Sequence, residues 1–378
     1  MLSWWEETAL LDYDVAVVGG GIVGLSTACE LLERRPALRV LVLERGPLPS
    51  GASGRNAGFA CYGSASEILA DVQGEGVARA QELVGERWRG LQRLRERVGD
   101  EALGYEELPG YDLLGPAQGE VVERLPELNA WLRPVLGFDA YAPDPEGLAR
   151  MGFPRARVPW LVRSRGEGAL HPGRMLRALQ SRAQRLGATL LSGVEVEQLE
   201  AHPGGARLWV RRAHPAGRLC LRAPQVAVTT NAFAPALVPG LDVVPGRGQV
   251  LLTAALPGGH PLQGTFHHDG GDLYFRGVGD RVLLGGGRHS DVAGETQLEM
   301  ATTPAIQGLL ERFLAEVVLP GRPVAIERRW AGIMAFGSQR APIVERRAPH
   351  LVVGVRMSGM GVALGSRVAE RLAALLLG

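Results

Sequence analysis

A short glycine motif near the N-terminus constrains the fold of this chain more than any other feature. An apolar, β-branched run, Asp14–Val18, leads directly into Gly19–Gly24, which reads GGGIVG. An amphipathic helical pattern then runs from Ile22 to Arg35, and a second apolar run, Arg39–Leu43, ends in Glu44. A buried strand, a glycine turn, a helix and a second strand in this order are typical of the βαβ unit that binds dinucleotides.

Each glycine of the motif has its own physical task. Gly19 allows the tight turn, Gly21 leaves room for a pyrophosphate to approach the backbone, and Gly24 lets the helix pack closely on the strand. The free N–H groups at the start of the helix, at Ile22 and Val23, point in the direction of the helix dipole and favour phosphate. The turn therefore predicts a pyrophosphate site.

The residues that follow the second strand indicate which dinucleotide binds. Glu44 stands 20 residues after the last glycine of the motif, and an acid about 20 residues on binds a ribose hydroxyl and repels a 2′-phosphate. This disfavours NADP. The glycine-rich loop 50–59 can place backbone N–H groups, Arg55 and the polar side chains of Ser53 and Asn56 against an extended cofactor. We interpret the loop as favouring FAD over NAD, with an ordinary surface loop as the alternative.

Composition excludes several other functions. The 378 residues are 46% hydrophobic, enough for two or three domains at about 150 residues each. A net charge of +1 gives no footprint for nucleic acid. No apolar run approaches the ~18 residues of a membrane span, and no secretory signal opens the chain, so we expect a cytoplasmic protein. Cys29, Cys61 and Cys220 form neither a disulfide framework nor a zinc pattern, so no metal is expected.

The sequence contains no lysine, so all 41 residues counted as lysine or arginine are arginine. This excludes the Schiff bases of PLP enzymes, lysine nucleophiles and the phosphate-binding lysine of Walker motifs.

Five later segments carry further motifs: Ala169–Gly173, Val194–Val196, Val226–Ala232, Pro245–Gln249 and Ser358–Val362. Together with the glycine turn and the loop 50–59, and in this order, they resemble the D-amino-acid oxidase-like (DAO) family of FAD-dependent oxidoreductases. That family includes glycine oxidase, sarcosine oxidase and gamma-glutamylputrescine oxidoreductase. The resemblance covers nearly the whole chain.

The resemblance implies that FAD is bound without a covalent bond. Sarcosine oxidases attach FAD through a cysteine near the stretch that matches Trp330–Phe336, and this stretch contains none. The residues that the resemblance assigns to FAD are Gly19, Gly21, Ile22, Val23, Gly24, Glu44, Arg45, Ser53, Arg55, Asn56, Ala57, Gly58, Val194, Asn231, Gly332, Ser358, Gly359, Met360, Gly361 and Val362.

The implied architecture is α/β, with a discontinuous Rossmann-type FAD-binding domain and an α+β substrate domain built on an antiparallel sheet. The resemblance assigns residues 1–88, 160–234 and 326–378 to the FAD-binding domain, and residues 89–159 and 235–325 to the substrate domain.

Local sequence patterns agree with this architecture. Glycines separate the apolar runs 265–268, 272–276 and 281–285, which predicts consecutive hairpins. Apolar periodicity predicts helices over 77–98 and 366–377. The N-terminus of the last helix is expected to lie near the flavin.

The substrate side of the resemblance is less regular. Many members of the family bind a substrate carboxylate with an arginine, and in glycine oxidase one such arginine follows a Gly-Leu pair in a strand near the C-terminus. The matching stretch Trp330–Phe336 has Met334 at that position. This departure argues against an α-amino-acid substrate, unless Arg276 or Arg340 replaces the arginine. Both are open to the alternative of a structural or solvated arginine.

The remaining candidates lie on the predicted hairpins. Tyr274 stands where the family often has a pocket aromatic, with a core or surface tyrosine as the alternative. His267 and His268 alternate on one strand, so at most one of them faces a pocket, where a neutral imidazole can accept a substrate proton. A structural histidine is the alternative for each. The predicted catalytic residues are Tyr274, Met334, Arg276 and His268.

The expected function is oxidation of the C–N bond of a small amine or amino acid, by hydride transfer to flavin N5. Electrons then pass to O₂ or another acceptor. Sarcosine oxidase-like members use a lysine above the flavin for reaction with O₂, and this chain has none. A dehydrogenase that reduces a quinone or a protein is therefore one alternative. A flavin-binding protein without turnover is a second, and a nicotinamide-dependent dehydrogenase is a distant third.

Overall fold

The computed structural model describes residues 3–212 and 217–378 of the chain. Its strands are, in chain order, β1 (Val15–Val18), β2 (Val40–Glu44), β3 (Phe59–Ala60), β4 (Glu106–Glu107), β5 (Gly110–Leu114), β6 (Tyr141–Pro143), β7 (Trp160–Ser164), β8 (Gly168–Ala169), β9 (Thr189–Ser192), β10 (Glu195–His202), β11 (Gly205–Arg212), β12 (Gly217–Ala223), β13 (Gln225–Val228), β14 (Val244–Thr253), β15 (Thr265–His268), β16 (Leu273–Val278), β17 (Arg281–Gly286), β18 (Ile326–Phe336), β19 (Ile343–Ala348) and β20 (Leu351–Val355). Its α-helices are α1 (Trp4–Ala9), α2 (Ile22–Arg34), α3 (Ala65–Glu75), α4 (Val77–Val98), α5 (Asp100–Leu103), α6 (Gly119–Glu123), α7 (Leu125–Leu136), α8 (Pro145–Met151), α9 (Pro172–Arg185), α10 (Pro304–Phe313) and α11 (Gly361–Leu377). Within these residues, no helix is long and apolar enough to cross a membrane.

A largely parallel sheet has the strand order β19, β20, β13, β1, β2, β9, with β19 antiparallel to β20. Every residue of β1 is buried, as expected for a strand covered on both faces. Val15 and Val17 pack with α2, α9 and α11, whereas Ala16 and Val18 pack against the three-stranded sheet β10, β11, β12. The predicted Rossmann-type α/β unit is confirmed.

Helix α11 begins at Gly361, five residues before the start at 366 that the sequence predicted. A prediction from periodicity and propensity starts the helix after Gly361 and Gly365, because glycine is a poor helix former. Gly365 is nevertheless needed in the helix, since a Cβ there would lie 3.1 Å from Cγ1 of Ile22. The glycine allows α11 to pack closely on α2, and the helix starts directly after the turn Ser358–Met360.

A second sheet has the strand order β18, β14, β17, β16, β15, β5, β7, β6. Its neighbouring strands are antiparallel, except for β15 and β5, which are parallel. The predicted hairpins correspond to β15, β16 and β17 and are confirmed. One face of this sheet, with Phe266 and Phe275, packs in a core with α8 and α10. The other face is turned toward the Rossmann-type unit.

One row of directly paired residues crosses this second face. Paired residues of neighbouring strands share a face of the sheet, so their side chains point the same way. The row runs through Trp330, Val250, Gly285, Tyr274, His267 and Asp112.

The predicted division into domains stays a prediction, and strand pairing differs from its boundaries in two places. Strands β7 and β18 lie in the eight-stranded sheet, although residues 160–164 and 326–336 were assigned to the FAD-binding domain. Helix α4 also continues across the boundary at residue 88, and both Leu83 and Leu94 pack in the same core as α2. Strand partners depend on tertiary pairing, which a motif does not reveal.

Candidate active site

A cavity of about 850 Å³ extends between the Rossmann-type unit and the second face of the eight-stranded sheet. Three parts of the chain line it: the glycine turn with the loop 50–59, the C-terminal turn that precedes α11, and side chains of β14, β16 and β18. The cavity therefore joins the predicted cofactor segments to the predicted substrate sheet.

The glycine turn forms the predicted cradle for phosphate. Gly19 has φ +114°, a left-handed backbone that glycine adopts without strain. Helix α2 begins at Ile22, whose N–H donates to Ser53 Oγ at 3.0 Å. The hydroxyl thus caps the helix while the cavity is empty of phosphate oxygens, and the loop 50–59 is held against the helix start. Gly24 lies behind the turn, where a Cβ would be 2.8 Å from Thr229 Oγ1.

The carboxylate of Glu44 lies at the end of β2 and is fixed by three donors. Its Oε2 accepts from the Gly20 N–H at 3.1 Å, and its Oε1 accepts from the Gly46 N–H at 2.9 Å and from Ser50 Oγ at 3.2 Å. These contacts set the orientation of the carboxylate at the cavity wall, where it can accept from ribose hydroxyls.

Arg45 and Phe233 form a flat surface in the same part of the cavity. The guanidinium carbon lies 3.9 Å from the ring centroid of Phe233, and both side chains line the cavity. A stacked arginine and aromatic ring fit against the face of a planar base. Val194 also lines this part, and its N–H donates to the Glu44 carbonyl at 2.9 Å.

The loop 50–59 is preformed and is tied to the eight-stranded sheet. Arg55 Nη1 donates to the Ala331 carbonyl at 3.0 Å, and Trp330 Nε1 donates to the Arg55 carbonyl at 2.9 Å. Asn56 stabilises the loop internally, because its Oδ1 accepts from the Gly58 N–H at 2.8 Å. Arg276 holds the loop from outside the cavity, since its Nε donates to the Ala57 carbonyl at 2.7 Å.

Left-handed backbone conformations cluster at the C-terminal turn. Asn231, Arg356 and Ser358 have φ of +50°, +64° and +47°, which is unusual for residues with a Cβ. Asn231 Oδ1 accepts from the Arg356 N–H at 3.0 Å, so one strained residue fixes the next. Strain of this kind persists where the surrounding structure enforces it, commonly at ligand sites.

Two features of this turn fit a cofactor. The hydroxyls of Thr230 and Ser358 are buried without a hydrogen-bond partner in the described residues, and both residues line the cavity. Buried hydroxyls are usually satisfied, so these two are suited to bond a ligand. Gly361 and Val362, at the start of α11, also line the cavity, and the helix dipole there stabilises negative charge on a bound ring.

Tyr274, His267, Phe59 and Met334 line the part of the cavity next to the sheet. Phe59 makes edge contacts with both rings, with centroid distances of 5.7 Å to Tyr274 and 5.2 Å to His267. Gly248 provides the floor, because a Cβ there would lie 2.9 Å from Met334 Cε. The result is a mainly apolar compartment, named here the substrate compartment, with two polar groups in its wall.

Burial fixes the charge state of both polar groups. It raises the pKa of Tyr274 to about 12, so the hydroxyl stays protonated and can donate. Burial lowers the pKa of His267, although the carboxylates of Glu67 and Asp112 act in the opposite direction. Its Nε2 is buried and has no partner in the part of the chain that the structure describes. A neutral imidazole in this position can accept a proton.

Acidic groups are buried behind the wall of the substrate compartment. Burial raises the pKa of Glu167 to about 8, and a hydrogen bond from Ser164 lowers it to a smaller extent. Burial also raises the pKa of Asp112, which a hydrogen bond from Ser66 partly offsets. Glu167 is therefore neutral in the folded protein at pH 7 and ionised in the unfolded chain.

Because the folded pKa of Glu167 lies above the ordinary value of 4.5, its contribution to stability is complete below pH 4.5 and is lost as pH rises to about 8. The loss amounts to about 1.4 kcal/mol per pH unit. We expect Glu167→Gln, which is neutral at every pH, to gain about 2–3 kcal/mol relative to the wild type between pH 5 and pH 7. Urea unfolding at the two pH values measures this gain, with Glu107→Gln, at an exposed position of neighbouring β4, as the control. A difference between wild type and Glu167→Gln that does not change with pH contradicts the assignment.

Comparison with known proteins identifies the family. Residues 14–375 match the sequence model of the DAO family, FAD dependent oxidoreductase. The chain belongs to the DAO family. Its cofactor is FAD, and the cradle, the two helix N-termini and the unpartnered hydroxyls described above fit that molecule.

Individual relatives of this DAO-family chain share its full length at low identity. "Probable oxidoreductase OrdL" of Rhizobium meliloti (strain 1021) is 25% identical, over 100% of this chain and 88% of the relative. Among solved structures, glycine oxidase from Geobacillus kaustophilus has a TM-score of 0.74 at 21% identity, covering 97% of this chain and 95% of that one. L-proline dehydrogenase from P. horikoshii has a TM-score of 0.76 at 17% identity, covering 97% and 93%. At these identities the structural likeness shows the fold.

Most residues predicted to bind FAD do line the cavity of this DAO-family protein. They are Gly19, Gly21, Ile22, Val23, Glu44, Arg45, Ser53, Arg55, Asn56, Ala57, Val194, Asn231, Gly332, Ser358, Gly359, Met360, Gly361 and Val362. Gly24 and Gly58 shape the turns behind it, and the Gly58 carbonyl accepts from the Leu170 N–H at 2.8 Å. The contacts of each residue with FAD stay a prediction.

The structure brings together half of the predicted catalytic set. Tyr274 and Met334 line the substrate compartment, but His268 and Arg276 do not. His268 lies on the opposite face of the sheet, where its Nδ1 is 2.9 Å from the Leu113 carbonyl. The choice of His268 over His267 was wrong in placement, because strand alternation turns His267 to the cavity. Arg276 is engaged with main-chain carbonyls.

The sequence analysis also missed Arg288, which lines the cavity from the turn after β17. Arg340, one of the two arginines considered for a substrate carboxylate, is paired instead with Asp71 at 2.8 Å and Glu67 at 3.3 Å. The only sequence signal for Arg288 is its position directly after the glycines that end a hairpin strand.

Proposed function

We propose that this chain oxidises the C–N bond of a small amine or amino acid by hydride transfer to N5 of FAD. The observation that carries the proposal is that the FAD cradle and the substrate compartment open into one cavity. When bound, FAD supplies the acceptor for the hydride of the carbon that bears nitrogen. The names of glycine oxidase and L-proline dehydrogenase, whose fold this chain shares, support an amine or amino acid as the substrate.

The side chains of the compartment have complementary tasks in this proposal. Phe59 and Met334 exclude water from the reacting carbon. Tyr274, neutral at all relevant pH values because burial raises its pKa, donates a hydrogen bond that orients the substrate. His267, kept neutral by burial, which lowers its pKa, accepts the proton that an ammonium substrate must lose before its nitrogen lone pair is available.

FAD is held without a covalent bond in this proposal. The stretch Trp330–Phe336 contains no cysteine. Cys61 lines the cavity, but burial raises the pKa of its thiol, so it is not a thiolate nucleophile. A cytoplasmic location stays a prediction.

The test is reduction of the bound flavin without oxygen. The FAD-loaded protein is mixed anaerobically with primary amines, secondary amines and α-amino acids, and loss of the visible flavin band is followed. The controls are α-hydroxy acids with matching carbon skeletons, such as lactate beside alanine. We expect at least one amine or amino acid to bleach the flavin. Bleaching by no nitrogen compound, or by hydroxy acids alone, rejects C–N oxidation.

Transfer of electrons to an acceptor other than O₂ is the second candidate, because the chain has no lysine to stabilise forming superoxide. The reduced protein is mixed with air-saturated buffer and, separately, with a soluble quinone. Faster reoxidation by the quinone supports a dehydrogenase, and faster reoxidation by O₂ supports an oxidase.

A further inference from the structure

We propose that Arg288 binds a carboxylate of the substrate, which makes the substrate an amino acid and not a simple amine. The inference rests on the proposed C–N oxidation and adds to it the chemical class of the substrate. It also assigns the anion-binding role to a residue outside strand β18.

The first observation is an unpaired charge in the cavity wall. Arg288 lines the cavity, and no carboxylate of the described residues lies within the 4.0 Å of an ion pair. Its Nε is buried without a hydrogen-bond partner in those residues, and its Nη2 reaches only Thr296 Oγ1, at 3.4 Å. A buried cationic group without a partner is unfavourable, so the site is suited to an anion.

The charges around Arg288 do not satisfy it. Asp272 also lines the cavity, but its carboxylate lies 3.3 Å from His289 Nδ1. Arg340 is held by two acids of α3, as described above, so its charge is already compensated. In this part of the cavity, Arg288 is thus the arginine left available for a ligand, within residues 3–212 and 217–378.

The second observation is the place that the guanidinium reaches. Gly246 on β14 pairs directly with Met334 on β18, and a Cβ at Gly246 would lie 2.9 Å from Arg288 Nε. The guanidinium therefore extends to the same cross-strand pair in which Met334 occupies the position of the family's arginine. The charge reaches this point from the turn after β17 instead of from β18.

The third observation is the alignment of Arg288 with the rest of the compartment. Gly246 and Gly248 share one face of β14, about 7 Å apart as residues i and i+2 of a strand. Arg288 lies over Gly246, and Tyr274 Oη would lie 4.0 Å from a Cβ at Gly248. A carboxylate held by Arg288 leaves the neighbouring carbon and nitrogen of a small amino acid on the side of Tyr274.

Phe336 fixes the orientation of the guanidinium. Its ring centroid lies 4.7 Å from the guanidinium carbon of Arg288, a cation–π contact. A side chain at Gly246 would collide with this ring, so the glycine is required for the arrangement. A guanidinium held by its face keeps its N–H edges free, and those edges bind a carboxylate through two parallel hydrogen bonds.

The test is ligand binding without turnover. Propionate, and propionamide as its uncharged counterpart, are titrated into the FAD-loaded wild type and into Arg288→Gln, while the visible flavin spectrum is followed. We expect the wild type to bind propionate more tightly than propionamide. We expect Arg288→Gln to bind propionate about ten- to hundred-fold more weakly, as for loss of a hydrogen bond to a charged group, with propionamide little changed.

Arg281→Gln is the matched control, since it removes an arginine from the start of β17 that pairs with Glu327 and Asp280 outside the cavity. Arg288→Lys keeps the charge and should restore part of the affinity. If Arg288→Gln fails to retain FAD, the comparison of propionate with propionamide in the wild type and in Arg288→Lys decides. Equal binding of propionate by wild type and Arg288→Gln overturns the proposal, as does a wild type without preference for propionate.

Failure of this proposal is distinguishable from failure of the proposed function. The titration reads the anion site whether or not any amine reduces the flavin. Conversely, reduction by simple amines as fast as by the corresponding amino acids leaves C–N oxidation intact and removes the role of Arg288.

Discussion

Gly24→Ala is expected to yield little folded protein, and any soluble fraction should bind FAD at least about ten-fold more weakly, equivalent to 1.4 kcal/mol or more. A methyl group at this position would overlap the carbonyl oxygen of Gly19 and lie 2.8 Å from Thr229 Oγ1. Both neighbours are rigid, because Thr229 Oγ1 donates to the Val18 carbonyl at 2.9 Å. Overpacking of this kind costs about 3 kcal/mol, and the displaced turn is the one that cradles phosphate.

The measurement is the ratio of flavin to protein after gel filtration, together with thermal unfolding. Gly74→Ala is the matched control, because Gly74 lies in α3 with nothing within 4 Å of a Cβ. Alanine there should stabilise the helix by about 0.5–1 kcal/mol. If Gly24→Ala retains as much flavin as Gly74→Ala, the close approach of α2 to the turn is not what requires glycine.

Arg247→Met is expected to lower the free energy of unfolding by about 3–5 kcal/mol, because it leaves a buried carboxylate without its cation. The side chains of Arg247 and Glu295 are 2% and 1% exposed. Arg247 Nε and Nη2 donate to the two oxygens of Glu295 at 2.8 Å and 2.6 Å, and Gln249 adds a third hydrogen bond at 2.9 Å. This pair joins β14 to the segment that follows β17.

A double variant separates the pair from its parts. Arg247→Met with Glu295→Leu removes both charges and fills the space with apolar groups, so most of the lost stability should return. Urea unfolding of the FAD-loaded wild type, the two single variants and the double variant measures the coupling. Additive losses in the double variant would show that the two side chains do not act as a pair.

The sequence predicted the parts of the fold that depend on local pattern. The run Asp14–Glu44 carried strand, turn, helix and strand in a spacing that few other folds use, and glycines marked the hairpins of β15–β17. The cofactor segments followed because their task is met by the backbone, which glycine makes recognisable. The start of α11 was placed too late, since the glycines that permit its packing on α2 also weaken its helical signal.

The substrate side required tertiary information. Alternation showed that His267 and His268 face opposite ways, but only the packing of Phe266 and Phe275 against α10 decides which histidine faces the cavity. Arg276 reads as a pocket residue until its guanidinium is seen to bond the carbonyls of Ala57 and Leu170. Arg288 follows from register, because the pairing of β14 with β18 brings its turn beside Met334.

The loop 50–59 is held by side chains of the eight-stranded sheet as well as by the Rossmann-type unit. Trp330 bonds the Arg55 carbonyl, and Arg276 bonds the Ala57 carbonyl. Cofactor affinity and the docking of the substrate sheet are therefore thermodynamically linked. A substitution that loosens β16 or β18 will appear as weaker retention of FAD, and a ligand that tightens the substrate compartment will slow the loss of FAD.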